Sequence, residues 1–249
     1  MSVLRTERAA AYWTLVLERP EKANALSGEL VEALAEGLAS AERAGVDVVV
    51  LRGEGRNFSA GFDFSGFEQL GEGELLLRFV RIEQLLQALA RSPCLTVGLA
   101  HGRNFGAGVD LFAACRWRVA TADASFRMPG LAFGVVLGTR RFAALVGSDA
   151  ARAVLESLET FGAERAQALG FVTRLAAQDE WPAIAAQAVT TAQVLAPTQR
   201  AALYRTMGGT TDDADLADLV RSVAAPGLKE RIRDYLAAQA AAQARRPRP

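Results

Sequence analysis

Two short segments hold the residues with the clearest capacity for chemistry. Phe58-Ser59-Ala60-Gly61-Phe62-Asp63-Phe64 and Gly102-Arg103-Asn104-Phe105-Gly106-Ala107-Gly108-Val109-Asp110 each follow an apolar, β-branched run, and both are rich in small residues. Small side chains let a ligand approach the backbone, and the first N–H groups of a helix have no partner within it. With the positive end of the helix dipole behind them, such donors suit an anion or a developing oxyanion. Two such loops on neighbouring strands would give one oxygen two N–H donors, although Gly106-Ala107-Gly108 equally fits close helix packing.

Other chemistries have less support. His101 is the single histidine and the two cysteines, Cys94 and Cys115, are far apart, so clustered soft metal ligands are missing and no metal is expected. His101 ends an apolar strand, which favours a packed or backbone-bonded ring over a catalytic one. The dinucleotide fingerprint fails because Leu111 stands at its third glycine, and no phosphate-loop Gly-Lys-Ser/Thr occurs.

Elements must position these segments. Tyr12 to Leu17, Val46 to Leu51 and Leu95 to Leu99 read as strands, the last two buried on both faces. Ser27 is an N-cap for a helix whose buried face is Leu30, Val31, Leu34, Leu38 and Ala41. Glu74 to Ala90 is a second amphipathic helix, ended by Ser92-Pro93, and Asp110 to Ala114 a short third. Strand pieces follow at Arg116 to Ala120 and Ala124 to Met128. From about Thr139 the pattern is helical, broken at Gly147-Ser148, Gly162, Gly170, Pro182, Pro197, Gly208-Gly209 and Pro226-Gly227. The class is α/β with an appended helical region, and Ala237 to Pro249 reads as a frayed tail.

Composition agrees with an ordinary soluble domain: 249 residues, 51% apolar, 22% charged, and 28 basic against 28 acidic residues. Charge balance argues against nucleic acid as partner. The start carries no basic-then-apolar leader and no run is long enough to span a bilayer, so a cytoplasmic protein with no membrane partner is expected.

The order Arg19-Pro20-Glu21-Lys22-Ala23-Asn24-Ala25-Leu26-Ser27, then Phe58 to Phe64, then Gly102 to Asp110, then Phe161-Gly162-Ala163-Glu164-Arg165-Ala166-Gln167-Ala168-Leu169-Gly170-Phe171-Val172, resembles the crotonase (enoyl-CoA hydratase/isomerase) superfamily over nearly the whole chain. The resemblance implies a spiral of ββα units over residues 1–190 and a C-terminal helical oligomerisation region over 191–249, in a homotrimer or dimer of trimers. It implies an acyl-CoA thioester as substrate, coenzyme A arriving as part of that substrate and no separate cofactor. It puts oxyanion donors on the N–H groups of Phe62 and Ala107. Lys22, Ala23 and Leu26 match positions that hold the adenine and phosphates of coenzyme A; Ala60, Asp63 and Phe64 match positions that line the pantetheine and acyl groups.

The catalytic carboxylates depart from the hydratase pattern. Asp110 stands where the first glutamate belongs, one methylene shorter and one turn beyond Ala107 on the same helix face, where a carboxylate can move protons; Gly130 stands at the second, in Arg127-Met128-Pro129-Gly130-Leu131. The turn Gly134-Val135-Val136-Leu137-Gly138 is altered as well. Glycine moves no proton, so a single carboxylate would serve, fitting double-bond isomerisation or an atypical hydration. Thioester hydrolysis and a binding protein without catalysis are the alternatives. Asp110 could instead cap its helix or pair with Arg116 or Arg103. Asp63 could cap the following turn, and Arg127 could neutralise a substrate carboxylate or lie at the surface. Phe64, Phe67, Leu70, Leu75, Leu76 and Phe79 could shape an acyl pocket, although Leu75, Leu76 and Phe79 fit a core equally well.

Overall fold

Ser27 opens the first helix as its N-cap, its hydroxyl accepting from the N–H of Leu30. The computed structural model describes residues 2–207 and 211–245. In order, these form β1 (Leu4–Arg8), β2 (Tyr12–Leu17), α1 (Gly28–Arg43), β3 (Val48–Gly53), α2 (Glu72–Arg91), β4 (Leu95–Ala100), β5 (Arg103–Phe105), α3 (Ala107–Ala113), β6 (Trp117–Ala120) and β7 (Ser125–Arg127). The chain continues through α4 (Thr139–Val146), α5 (Ser148–Ser157), β8 (Phe161–Gly162), α6 (Ala163–Ala168), β9 (Arg174–Leu175), α7 (Trp181–Ala192), α8 (Pro197–Met207), α9 (Asp212–Val223) and α10 (Leu228–Ala244).

Two sheets result. The larger has the order β1-β2-β3-β4-β6-β9, antiparallel at β1–β2 and parallel elsewhere; the smaller is β5-β7-β8. Twice the chain lays one strand in the large sheet and the next in the small one before a helix, as β4 then β5 and β6 then β7. That alternation is the expected ββα spiral. Parallel strands covered on both faces need apolar side chains on both, which is why β4, Leu-Thr-Val-Gly-Leu-Ala, is buried throughout. One core lies between the sheets and α1–α3; a smaller one lies under α7, where Ile184 and Ala188 meet Val50, Val97 and Leu99.

The structure corrects several expected boundaries. β3 begins at Val48 and runs to Gly53, and α3 starts at Ala107, so Asp110 sits in its first turn. β1 is a strand although its residues are polar; it is an edge, with Arg5 ion-paired to Glu18 and Glu54. Two two-residue strands interrupt the helical third. The expected frayed tail is helical through Ala244 in α10, while 246–249, like the Gly208-Gly209 break, lie outside the described residues.

Candidate active site

Backbone hydrogen bonds join three loops into one wall. Ala60 N–H donates to Ala23 O (2.9 Å) and Leu26 N–H to Gly61 O (2.7 Å), while Asp63 N–H donates to Leu26 O (3.3 Å). On the other side, Phe105 N–H donates to Ser59 O (3.1 Å) and Gly106 N–H to Arg127 O (2.8 Å). Leu26 and Phe62 thus form a single parallel bridge, as do Ser59 and Asn104. Because Leu26 is bonded by the residues on either side of Phe62, the N–H of Phe62 itself turns the other way. Ala107 opens α3, where an N–H has no intrahelical acceptor. Among the described residues neither N–H has a hydrogen-bond partner.

Gly61 brings the two loops together. Its φ is +85°, and a β-carbon there would fall 2.2 Å from Phe105 O and 3.0 Å from Ala107 N. Asn24, fully buried, fixes the outer loop: its amide donates to Glu54 O (2.9 Å) and Asn57 O (2.8 Å), and its oxygen accepts from Arg19 N–H (2.9 Å). Asn24→Ala leaves these groups without partners and is expected to cost about 2–4 kcal/mol, read from the midpoint of a urea titration. An unchanged midpoint would mean that water replaces the amide.

Phe62 and Ala107 both line a cavity of about 300 Å3. Its wall is mostly aromatic and aliphatic, with Phe62, Phe64, Phe79 and Phe133 on one side and Met128, Leu137 and Leu155 among the rest. Phe62 stacks on Phe79 with ring centres 4.2 Å apart, which fixes the residue carrying the first N–H. Asp110 lines the same cavity, and among the described residues no other lining residue is an acid. It is buried, and its Oδ1 has no hydrogen-bond partner among the described residues. Burial pushes its carboxyl well above the usual carboxylate range; Arg141 draws it back and Glu83 adds to the rise. Gly138 packs so closely on Asp110 that a β-carbon would lie 1.9 Å from Oδ1.

The structural alternatives for Asp110 lack their partners. Arg116 donates to Cys94 O and Ala90 O and lies 3.7 Å over the Tyr204 ring, while Arg103 is exposed. Gly106, not Asp110, is the N-cap of α3. Gly130 also lines the cavity; a β-carbon there would lie 2.9 Å from Val135 O, so the wall leaves little room for a side chain.

The other expected residues divide. Ala60, Phe62, Phe64, Ala107 and Asp110 line one cavity. Ala23 and Leu26 do not line it; they hold the donor loop from behind through the bonds above. Lys22 is exposed beside them. Asp63 does not line it either: its Oδ1 accepts from Ser65 N–H (2.9 Å), capping the turn, and its Oδ2 pairs with Arg19 (2.8 Å). Burial raises the Asp63 carboxyl, but Ser65 and Arg19 lower it further, and the balance lies below its ordinary value. His101 is buried on Gly55 O (2.8 Å) and against Trp181. Arg127 donates to Leu158 O (3.0 Å). Of the aromatic and aliphatic group, Phe64 and Phe79 line the cavity, while Phe67 and Leu75 are core.

Sequence reasoning missed the far wall, where α10 contributes Tyr235, Leu236, Gln239 and Gln243. Helix was expected there, but nothing local places it against this cavity. It also missed Glu83, whose signal was present: it falls four residues after Phe79 and three before Leu86, a charge on the buried stripe of α2.

A family model for enoyl-CoA hydratase/isomerase matches residues 7–224. A Mycobacterium bovis protein provisionally named enoyl-CoA hydratase echA6 is 36% identical over 171 residues, 68% of each chain. A crystal structure from Bordetella parapertussis, provisionally named enoyl-CoA hydratase/isomerase, is 58% identical with TM-score 0.94, covering 95% of this chain and 99% of that one. The enoyl-CoA hydratase of Bacillus halodurans shares the fold at 19% identity and TM-score 0.83, over 94% of this chain and all of that one (100%).

Proposed function

Because this chain belongs to the enoyl-CoA hydratase/isomerase family, we propose that it binds an acyl-CoA thioester and stabilises the thioester enolate between the N–H groups of Phe62 and Ala107. Asp110 is the one proton carrier, and migration of a double bond from the 3- to the 2-position is the reaction. The observation that carries this reading is a buried Asp110 carboxyl with an unpaired Oδ1, lining one cavity with Phe62 and Ala107, whose N–H groups are unpaired, and with no second acid among the described lining residues.

The steps balance on that group alone. The Asp110 carboxylate takes a proton from Cα, the thioester oxygen becomes an enolate held by the two N–H donors, and protonated Asp110 returns the proton to Cγ. Nothing is added to the substrate or lost from it. Each donor is expected to lower the barrier by about 2.7–4 kcal/mol. Burial suits the carboxyl to both halves, since a raised pKa makes it a better base toward carbon. Lys22, Ala23, Leu26, Ala60, Asp63 and Phe64 remain the positions assigned to coenzyme A and the acyl group. Lys22 serves as a point charge, and Ala23, Leu26 and Asp63 serve through the loop they hold. The division at residues 190 and 191, association into a trimer or a dimer of trimers, and a cytoplasmic location belong to the same proposal. Exposed Val194, Leu203 and Met207 on and beside α8 are apolar surface suited to such contacts.

The test mixes the protein with a trans-3-enoyl-CoA and follows the absorbance of the conjugated 2-enoyl thioester. A rise without release of free thiol is expected. Free thiol would make the protein a hydrolase, and binding without either change would remove the isomerase reading for that acyl chain.

A further inference from the structure

Behind Asp110 lies a second set of buried ionisable groups that the proposed steps do not use. Glu83 of α2 is 1% exposed. Its Oε1 accepts from Arg141 Nη2 of α4 (3.2 Å) and from the amide of Gln87 (3.0 Å), which also donates to Asp212 O (2.9 Å). Arg141 Nη1 is buried without a partner, as is Asp110 Oδ1. Two carboxyl groups and one guanidinium therefore share one desolvated region, and one cation can neutralise only one of them.

The neighbours of α3 leave no other candidate for that cation. α4 presents Arg141 and α2 presents Glu83; β4 has no ionisable side chain, and Arg103 of β5 is exposed. Asp215 of α9 acts on Glu83 from the far side and is itself paired with Arg140. Tyr235 stands across the cavity. A guanidinium bound to Asp110 through its two-pronged donors would fix that group as a carboxylate and weaken it as a base.

We propose that Glu83 is a positioning residue: by taking up Arg141 it keeps Asp110 out of an ion pair and free to take and return a proton. The inference rests on Asp110 as the proton carrier. It explains why a glutamate occupies the apolar stripe of α2, with Gln87 one turn later holding it in place.

The test follows the titration of Asp110 in two ways. One is the acid limb of the kcat pH profile on the 3-enoyl-CoA. The other needs no activity: the difference in thermal stability between each protein and its Asp110→Asn counterpart, measured across pH. Glu83→Gln releases Arg141 toward Asp110 and is expected to move both titrations down by about 1–3 pH units, lowering kcat with little change in KM. Glu83→Gln with Arg141→Met buries neither charge and is expected to bring the titration back to the wild-type position. It also serves where the single variant fails to fold. A Glu83→Gln titration that stays in place, or a double variant shifted upward by more than a unit, overturns the inference. If Asp110→Asn keeps full activity while the stability titration moves as described, the proton-carrier reading fails and the Glu83–Arg141 arrangement stands.

Discussion

Asp110→Asn is expected to lower kcat on a 3-enoyl-CoA by about 10²–10⁴-fold while making the folded chain more stable above the ordinary carboxylate range. The two effects have one cause. Asparagine keeps the shape of the side chain packed on Gly138 but cannot accept a proton. Wild-type Asp110 carries a raised pKa, chiefly through burial. Between the value of an unfolded carboxylate and that raised value, the folded chain binds the additional proton, so stability falls as pH rises through this window. Above the window the loss is complete. The asparagine variant has no such slope, so its advantage over the wild type is absent at low pH and grows as pH rises. Thermal midpoints of both proteins from about pH 4 to about pH 9, a range that brackets a raised carboxyl, beside kcat on the same samples, give both halves. Equal activity would remove Asp110 from the chemistry; parallel stability curves would mean that water reaches the carboxyl in the folded state.

How much of this was legible beforehand depended on range. Local signals were sound: the Ser27 cap, the α1 stripe from Leu30 to Ala41, and the apolar run of β4 are decided within a turn or two of chain, and each folds as its residue types dictate. The nearness of the two donor loops is different. It rests on the Ser59–Asn104 bridge between residues 45 positions apart, which no local pattern contains. The resemblance supplied it. Asp63 marks another limit: the resemblance gave it a place along the ligand but not the bonds of its carboxylate to Arg19 and Ser65. The place of α10 was not legible either. Leu228, Ile232, Tyr235 and Leu236 fall at helical spacing and helix was expected after Gly227, yet the packing of Tyr235 and Leu236 beside Phe64 and Phe133 is a tertiary contact that no local pattern contains. Glu83 was readable as a charge on a buried face, but its partner lay on α4, and without Arg141 the signal had no meaning.

The second large effect is expected at Gly61, far smaller in side-chain terms than Asp110. Gly61→Ala adds one methyl group, and that group has no place to go. At φ +85° an L-residue is strained, and the β-carbon meets Phe105 O at 2.2 Å. Relief requires the loop of Phe62 to move away from the loop of Ala107, or the peptide at 61 to turn. Either motion shifts the N–H of Phe62 relative to that of Ala107, and under the proposed reading an oxyanion donor displaced by an ångström loses most of its effect on a transition state it no longer meets. The expected loss in kcat is about 10²–10³-fold. KM should change less, because Phe79, Met128, Phe133, Leu137 and Leu155 of the cavity wall stand outside that loop. Stability should fall by about 1–3 kcal/mol from strain and overpacking. The split between kcat and KM is the informative reading. A variant that folds with a lowered midpoint, binds the thioester and turns it over slowly places the catalytic contribution in the backbone at Phe62 and Ala107. A variant equally destabilised but with unchanged kcat would show that the two N–H groups are not where the negative charge develops, and the enolate reading would lose its main support.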